Sequence, residues 1–403
     1  MITTIVGGSV LDTSTMSWLD DATVVLDGDR IADVGDNARD ADRVIDATGG
    51  YVVPGFIDAH VHHVLTTMDF AALGRQTPTE LAISMAQLSE AMLRRGFTTV
   101  RDCAGDTAGL VRAIERGLVA GPRIVRAGRA ISQTGGHGDI GADPSIRVCA
   151  CAIHRDDLAF IADSPDAARL AARRELRDGA AFIKLMASGG VASPTDPFDS
   201  VQFTPDEVRA ITIETDHRHT YTTAHAYHPE AIMHSIDNGV RCIEHGNLVD
   251  EPTAAAMAEH GVTMVPTLVT YKAIAELGEK LGFPEVSRQK NAGVFDAGRS
   301  SIDIAKQAGV ALGFGTDLIG EAQVWQNQEF AIRAQLEPAA DVLASMYRVN
   351  PRLCHLEGEI GVLSPGAAAD VVVLDVDPLD ALAALAEPDA TIRHVIARGE
   401  LVG

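Results

Sequence analysis

The stretch VVPGFIDAHVHH, residues 52–63, joins an apolar, β-branched run to three histidines across a Pro-Gly break. Side chains on a strand alternate between faces, so His60 and His62 point to one side and His63 to the other. An imidazole inside an apolar run is costly unless something partners it. The two-histidine hook therefore calls for partners elsewhere in the chain.

The same texture returns through the middle of the sequence. Short apolar runs occupy 55–62, 96–102, 123–132, 180–188, 220–226, 240–246, 262–269 and 310–317, separated by Ala/Glu/Arg-rich segments of helical character. Continuous apolar strands alternating with helices predict an α/β protein with a parallel, helix-covered sheet. Eight such units predict a (β/α)8 TIM barrel, here over residues 55–361. In TPTELAISMAQLSEAMLRRG (77–96), Thr79 is the expected helix cap and Gly96 the stop. In TPDEVRAITIETDHRH (204–219), Thr204 is the expected cap and Pro205 the first helical residue.

The two ends differ from the middle. Residues 1–54 alternate β-patterned runs with Gly-Gly, Asp-Gly and Gly-Asp turns, and 362–403 repeat that pattern. Neither is long enough for its own core, so the two are expected to pair as one small β-domain. The net charge of −23 argues against nucleic acid and anionic membranes as partners. The first residues carry no basic segment and no stretch nears the ~20 apolar residues of a membrane helix, so neither a secretory signal nor a span is expected. Five dispersed cysteines, Cys103, Cys149, Cys151, Cys242 and Cys354, point to a reducing cytoplasm. Cys149-Ala-Cys151 has no second pair after it and reads as ordinary loop thiols. Ala-rich outer helices leave a homo-oligomer open.

Barrel enzymes carry their chemistry at the C-terminal ends of strands. His60 and His62 end the first run, Lys184 sits in the fourth, and His225, His245 and Asp317 end the fifth, sixth and eighth. Converging imidazoles and a carboxylate suit a borderline divalent cation such as Zn²⁺. Lys184 has two readings. It is either a core lysine paired with Asp317 or, after carboxylation by CO₂, an anionic ligand able to bridge two metals. Two metals sharing a hydroxide give a strong nucleophile at neutral pH.

This arrangement resembles the amidohydrolase superfamily nearly end to end. PGFIDAHVH (54–62) looks like its first-strand motif, and LSPGAAADVVVLDVDPL (363–379) is similar to its C-terminal signature. The resemblance implies that 1–54 and 362–403 form a β-sandwich. It also implies that His60, His62, Lys184 and Asp317 bind one metal and that Lys184, His225 and His245 bind the other. Lys184 would be N6-carboxylated and bridging, and Asp317 would be the general acid/base. Zn²⁺ leads as the metal, while Mn, Fe or Co fit the same ligands.

FIKLMASGG (182–190), TAHAY (223–227), IEHGN (243–247), FGTDLIGE (314–321) and TGGHGD (134–139) look most like the imidazolonepropionase-like, prolidase-type branch of dipeptidases and carboxypeptidases. In that branch His137 and Tyr227 would hydrogen-bond the scissile carbonyl oxygen, as donors toward developing negative charge. Imidazolonepropionases themselves resemble it less, since the resemblance gives them one metal and no strand-4 lysine. The expected activity is metal-dependent hydrolysis of a small amide, as a dipeptidase, a carboxypeptidase or an N-acyl amino acid amidohydrolase. A lactonase or a carbamate, urea or anilide hydrolase is the alternative; a non-catalytic scaffold would lack ligands, and all six are present.

A substrate carboxylate would need N–H groups or a cation. The Gly-rich 187–194 loop could supply a nest of backbone N–H groups. Arg101 is a second candidate, unless it pairs with Asp102. His154, His217, His219 and His355 read as surface or packing residues, and 145–166 as part of the pocket rim.

Overall fold

Strand Tyr51–Pro54 belongs to two apolar cores at once, because its side chains alternate between faces. Val52 packs in a small cluster with Ile5, Val24 and Val371, while Val53 joins the large cluster that holds Phe56 and Val100. The computed structural model describes residues 1–35, 40–139, 158–193 and 196–403. Two sheets supply the small cluster. One has the strand order 30–35, 23–27, 2–6, 43–46; the other runs 400–401, 392–397, 371–374, 51–54, 9–12, 17–19. Val371–Leu374 pairs antiparallel with Tyr51–Pro54 and sets Val373 opposite Val52, so the two ends of the chain share one sheet.

Between Pro54 and the C-terminal strands the paired strands run parallel, with helices between them, giving an α/β fold. Phe56–Val61, Phe97–Asp102 and Arg123–Arg126 form a three-stranded sheet. A six-stranded sheet has the order 159–161, 130–132, 183–186, 222–226, 242–245, 263–265. Two details depart from the expected eight-stranded closed ladder. The 123–132 run is two strands in different sheets, broken around Gly128. There φ is 72°, and a Cβ would stand 2.2 Å from a Glu175 carboxylate oxygen. The 310–317 run is not a ladder strand. Its backbone bonds Met264 on one side (Met264 N to Ala311 O, 2.9 Å; Gly313 N to Met264 O, 2.8 Å). On the other it bonds the first parallel strand (Ala59 N to Phe314 O, 2.8 Å; Asp317 N to His60 O, 2.8 Å), so it lies between the edges of the two sheets. Gly315 permits that approach, since a Cβ there would lie 2.6 Å from Val265 Cγ1 and 3.0 Å from His60 Cβ.

The strands begin on an aromatic plug. Phe56 meets Phe97 at 5.6 Å and Phe330 at 5.2 Å, and Phe330 meets Phe314 at 4.8 Å. Burying each ring contributes roughly 1.5–3 kcal/mol, which leaves the opposite strand ends for polar chemistry. Helix Pro78–Arg94 is capped by Thr77, not Thr79: Thr77 and Glu80 form a reciprocal capping box with Pro78 at the first helical position. Thr79 lies one residue inside the helix, and Gly96 follows its end with φ 93°. Helix Pro205–His217 starts at Thr204, whose N–H donates to Glu207 Oε2 at 2.7 Å.

Among the described residues Cys103, Cys242 and Cys354 are buried and free. No helix there is long and apolar enough to cross a membrane. Cys149, Cys151, His154 and the 145–157 part of the proposed rim lie outside the described residues.

Candidate active site

The parallel register brings the polar strand ends together. Met186 pairs with His225 and Ala226 with His245, so the fourth, fifth and sixth runs finish at one level. His60, His62, Lys184, His225, His245, Asp317 and His137 line one cavity, whose remaining wall is largely apolar, with Leu65, Phe70, Leu158, Met186 and Ile319. His60 Nε2 lies 3.2 Å from His62 Nε2. Asp317 Oδ1 stands 2.9 Å from His62 Nε2 and 3.4 Å from His60 Nε2, and its Oδ2 is 3.8 Å from His245 Nδ1. The His225 ring is 4.7 Å from that of His245 and 4.1 Å from that of His137, on which it stacks.

His245 and Asp317 reach the cavity on strained backbone, with φ of 73° and 53°. Such left-handed residues cost about 1–3 kcal/mol each and persist where the surroundings over-determine them.

Burial sets the charge states. Burial, then the Lys184 charge, pushes the His60 imidazole down to about 4, and burial with neighbouring imidazoles and Lys184 holds His225 well below the usual range. His245 is likewise lowered, chiefly by burial. These rings are therefore neutral near pH 7, the form in which imidazole binds metals. Burial would raise the Asp317 carboxyl, but His60, His62 and His245 outweigh it and hold it below the ordinary carboxylate range.

Lys184 is 1 % exposed, and its Nζ makes no hydrogen bond or ion pair with a described residue. Among the described residues the Lys184–Asp317 pair is thus not formed; the Lys184 amine and the buried Glu244 carboxylate interact through their charges alone. His62 Nδ1 is also buried without a partner. His60, His245 and Asp317 each offer a ligand atom within 4.8 Å of the others. Neutral imidazoles and a carboxylate within ligand distance of one another fit a divalent-cation site better than a packed core.

Several supporting residues carried no clear signal in the sequence. His60 Nδ1 is 2.7 Å from Glu244 Oε2, and Glu244 also accepts from Arg101 and from the Thr223 hydroxyl. Arg101 is fully buried; it donates to Ala59 O at 2.6 Å and Tyr221 Oη at 2.9 Å. It therefore sits beneath the cavity and cannot receive a substrate carboxylate, and it does not pair with Asp102. Asp102 instead holds His63, whose Nδ1 is 2.7 Å away on the other side of the strand.

His245 Nδ1 is 2.8 Å from Thr267 Oγ1, and Tyr271 Oη donates to Tyr227 Oη at 3.0 Å. The Gly-rich loop also differs from the expected anion nest. The Gly190 N–H already donates to Asp196 Oδ2 at 3.2 Å, so the chain's own carboxylate takes that place. His228 sits at the cap of helix Pro229–Asp237, while His217, His219 and His355 are absent from the cavity wall.

Comparison with known proteins shows what the chain as a whole is similar to. A solved structure of a prolidase complexed with N-methylphosphonate-L-proline is 44% identical, covering 100% of this chain and 99% of the other with a TM-score of 0.94. A Xaa-Pro dipeptidase with bound methionine is 29% identical, covers 100% and 99%, and has a TM-score of 0.87. Ochratoxinase of Aspergillus niger is 30% identical over 401 residues, which is 95% of this chain and 83% of that one. The amidohydrolase family matches residues 51–402. The chain belongs to the amidohydrolase family, whose members generally use divalent metals on small amide or dipeptide substrates, and is a hydrolase acting on carbon–nitrogen bonds.

Proposed function

We propose that this protein hydrolyses the amide bond of a dipeptide or N-acyl amino acid at the cavity lined by His60, His62, Lys184, His225, His245 and Asp317. The observation that carries the reading is their convergence on one space, with a buried lysine among them. Similarity to a prolidase bound to a proline phosphonate and to ochratoxinase supports an amide over other substrates. In this reading residues 55–361 are a (β/α)8 catalytic barrel, and 1–54 with 362–403 a β-sandwich.

His60, His62, Lys184 and Asp317 would hold one divalent cation, and Lys184, His225 and His245 a second, with Lys184 carboxylated and zinc the leading metal. When bound, the cations supply Lewis acidity toward the carbonyl oxygen and lower the pKa of water. Asp317 takes a proton from the attacking water and returns it to the leaving nitrogen. The carbon–nitrogen bond breaks, and an acid and an amine result. His137 and Tyr227 bind and orient the carbonyl oxygen, and the apolar wall excludes bulk solvent other than the attacking water.

The test is a panel of dipeptides, N-acyl amino acids, anilides and lactones offered to metal-reconstituted protein, before and after chelation. The expected result is turnover of amides that chelation abolishes and Zn²⁺ or Mn²⁺ restores. Turnover of lactones alone would overturn the amide reading. One metal per chain with an unmodified Lys184 by intact mass would overturn the binuclear one.

A further inference from the structure

The 310–317 segment is not a ladder strand, and side chains from other elements hold what a ladder would. Asn350 spans its middle: Nδ2 donates to Ile57 O at 2.8 Å and to Phe314 O at 2.9 Å, and Oδ1 accepts from Phe314 N–H at 3.1 Å. Beyond Phe314 the same task falls to Asp58, which is fully buried. Its Oδ1 accepts from His60 N–H at 3.0 Å and from Thr316 N–H at 3.1 Å. Its Oδ2 accepts from the Thr316 hydroxyl at 2.6 Å and from Gln326 Nε2 at 2.9 Å. One carboxylate thus ties the backbone of one proposed metal ligand, His60, to the residue just before another, Asp317.

The donors fix the carboxylate in turn. Two of the four are backbone N–H groups, which can only donate. Gln326 is oriented by Arg95, whose Nη2 donates to Gln326 Oε1 at 2.9 Å, so the amide presents Nε2 to Asp58. Gln323, on the turn Gly320–Trp325, donates to His62 O at 3.0 Å and fastens the same two stretches of chain a second time. Asp58 is absent from the cavity wall, and its four bonds occupy both oxygens, so it takes no part in the proposed reaction itself. Its neighbour across the clamp is Asp317, whose φ of 53° persists only where the surroundings over-determine it.

We infer that Asp58 is a positioning residue for amide hydrolysis, holding His60 and Asp317 at a fixed spacing and keeping Asp317 in its left-handed conformation. Gln326 and Arg95 hold the Asp58 carboxylate. The inference rests on the reading of the cavity as a metal-dependent amide-hydrolysing site.

Asp58→Asn keeps one acceptor oxygen for the two N–H groups but turns an amide NH₂ toward Gln326 Nε2, donor against donor. The expected result in metal-reconstituted protein is a fall in kcat of about 10- to 100-fold with KM changed less than about 3-fold, as for misplaced reacting groups. Bound metal is read separately, by elemental analysis after dialysis against graded chelator. One cation per chain should be lost at a chelator concentration about 10- to 100-fold below that which strips it from the wild type, the usual effect of a group behind a ligand. Asp58→Asn with Gln326→Glu reverses donor and acceptor, restores the charge and keeps the Arg95 bond, so kcat and metal retention should both return most of the way. A double variant that regains the wild-type denaturant midpoint without regaining kcat and metal retention would overturn the inference, since Asp58 would then serve folding alone. Wild-type kcat and metal retention in Asp58→Asn would overturn it as well. If Asp58→Asn does not fold, Thr316→Val removes the hydroxyl bond alone and should lower kcat several-fold; an unchanged kcat there counts against the clamp. Wild-type protein that binds no metal or cleaves no amide would instead remove the proposed function, and this inference with it.

Discussion

His60 and His137 face the same cavity but are held in different ways. His60 is fixed from below by side chains on strands: Glu244, and behind it Arg101 and Thr223, all fully buried. His137 is fixed from the side by Ser193, Asp196 and Gln202, which lie beyond the Ile183–Met186 strand. Strand-borne groups are held by packing along their whole length, so they suit atoms that must not move. Loop-borne groups can be exchanged without disturbing the core, which suits atoms that meet a variable substrate. Under the proposed function, the strand half would serve the reaction and the loop half the substrate.

The largest expected effect belongs to the strand half. Asp317 oxygens lie 2.9, 3.4 and 3.8 Å from ring nitrogens of the strand-end histidines His62, His60 and His245. Asp317→Asn should keep the fold and lower kcat by about 10²- to 10⁴-fold, the range of a general acid/base, read by steady-state kinetics beside circular dichroism. Near-normal rates would place the proton carrier elsewhere, with the loop half the next place to look. Lys184→Ala comes next. It should reduce bound metal from two per chain to one, measured by elemental analysis, with activity partly restored by short carboxylic acids. Unchanged metal content would confine Lys184 to electrostatics.

The same contrast explains what could be read from the sequence. The His60–His62 hook was legible because period-two alternation and an apolar run make two same-face imidazoles conspicuous. Lys184, His225, His245 and Asp317 stood out by falling at the ends of similar runs. Glu244 did not, although it is buried and central. On a regular strand Cys242 and Glu244 share a face, and both meet Arg101, while His245 would point away. His245 reaches the cavity through its φ of 73°, a backbone choice that side-chain periodicity does not reveal. The 310–317 segment misled in a similar way. Its composition reads as a strand, but it joins the sheets through irregular backbone bonds around Gly313 and Gly315. Ser193 and Asp196 had no signal at all, since a loop has no period and its partner Lys290 lies nearly a hundred residues further on.

Arg101→Met tests the strand half as structure. Removing one member of a buried pair leaves the Glu244 charge uncompensated and should cost about 3–5 kcal/mol, read from the denaturant midpoint. Arg101→Met with Glu244→Gln removes both charges and should recover part of that loss. If the double variant were no better than the single, the network would act through packing and not through charge.

The smallest effect tests the other half. Tyr271, on helix Leu268–Leu277, donates its hydroxyl to Tyr227 Oη, so that the Tyr227 proton is free to point elsewhere. Tyr271→Phe removes one neutral hydrogen bond, a change of about 0.5–1.5 kcal/mol. If Tyr227 orients a substrate oxygen, that change should appear as a several-fold loss of kcat with metal content unaltered and the denaturant midpoint shifted only slightly. A loss of stability as large as that of Arg101→Met would instead make Tyr271 part of the load-carrying interior. The two halves of the cavity would then be held by one kind of support, and the division of labour between strand and loop would fail.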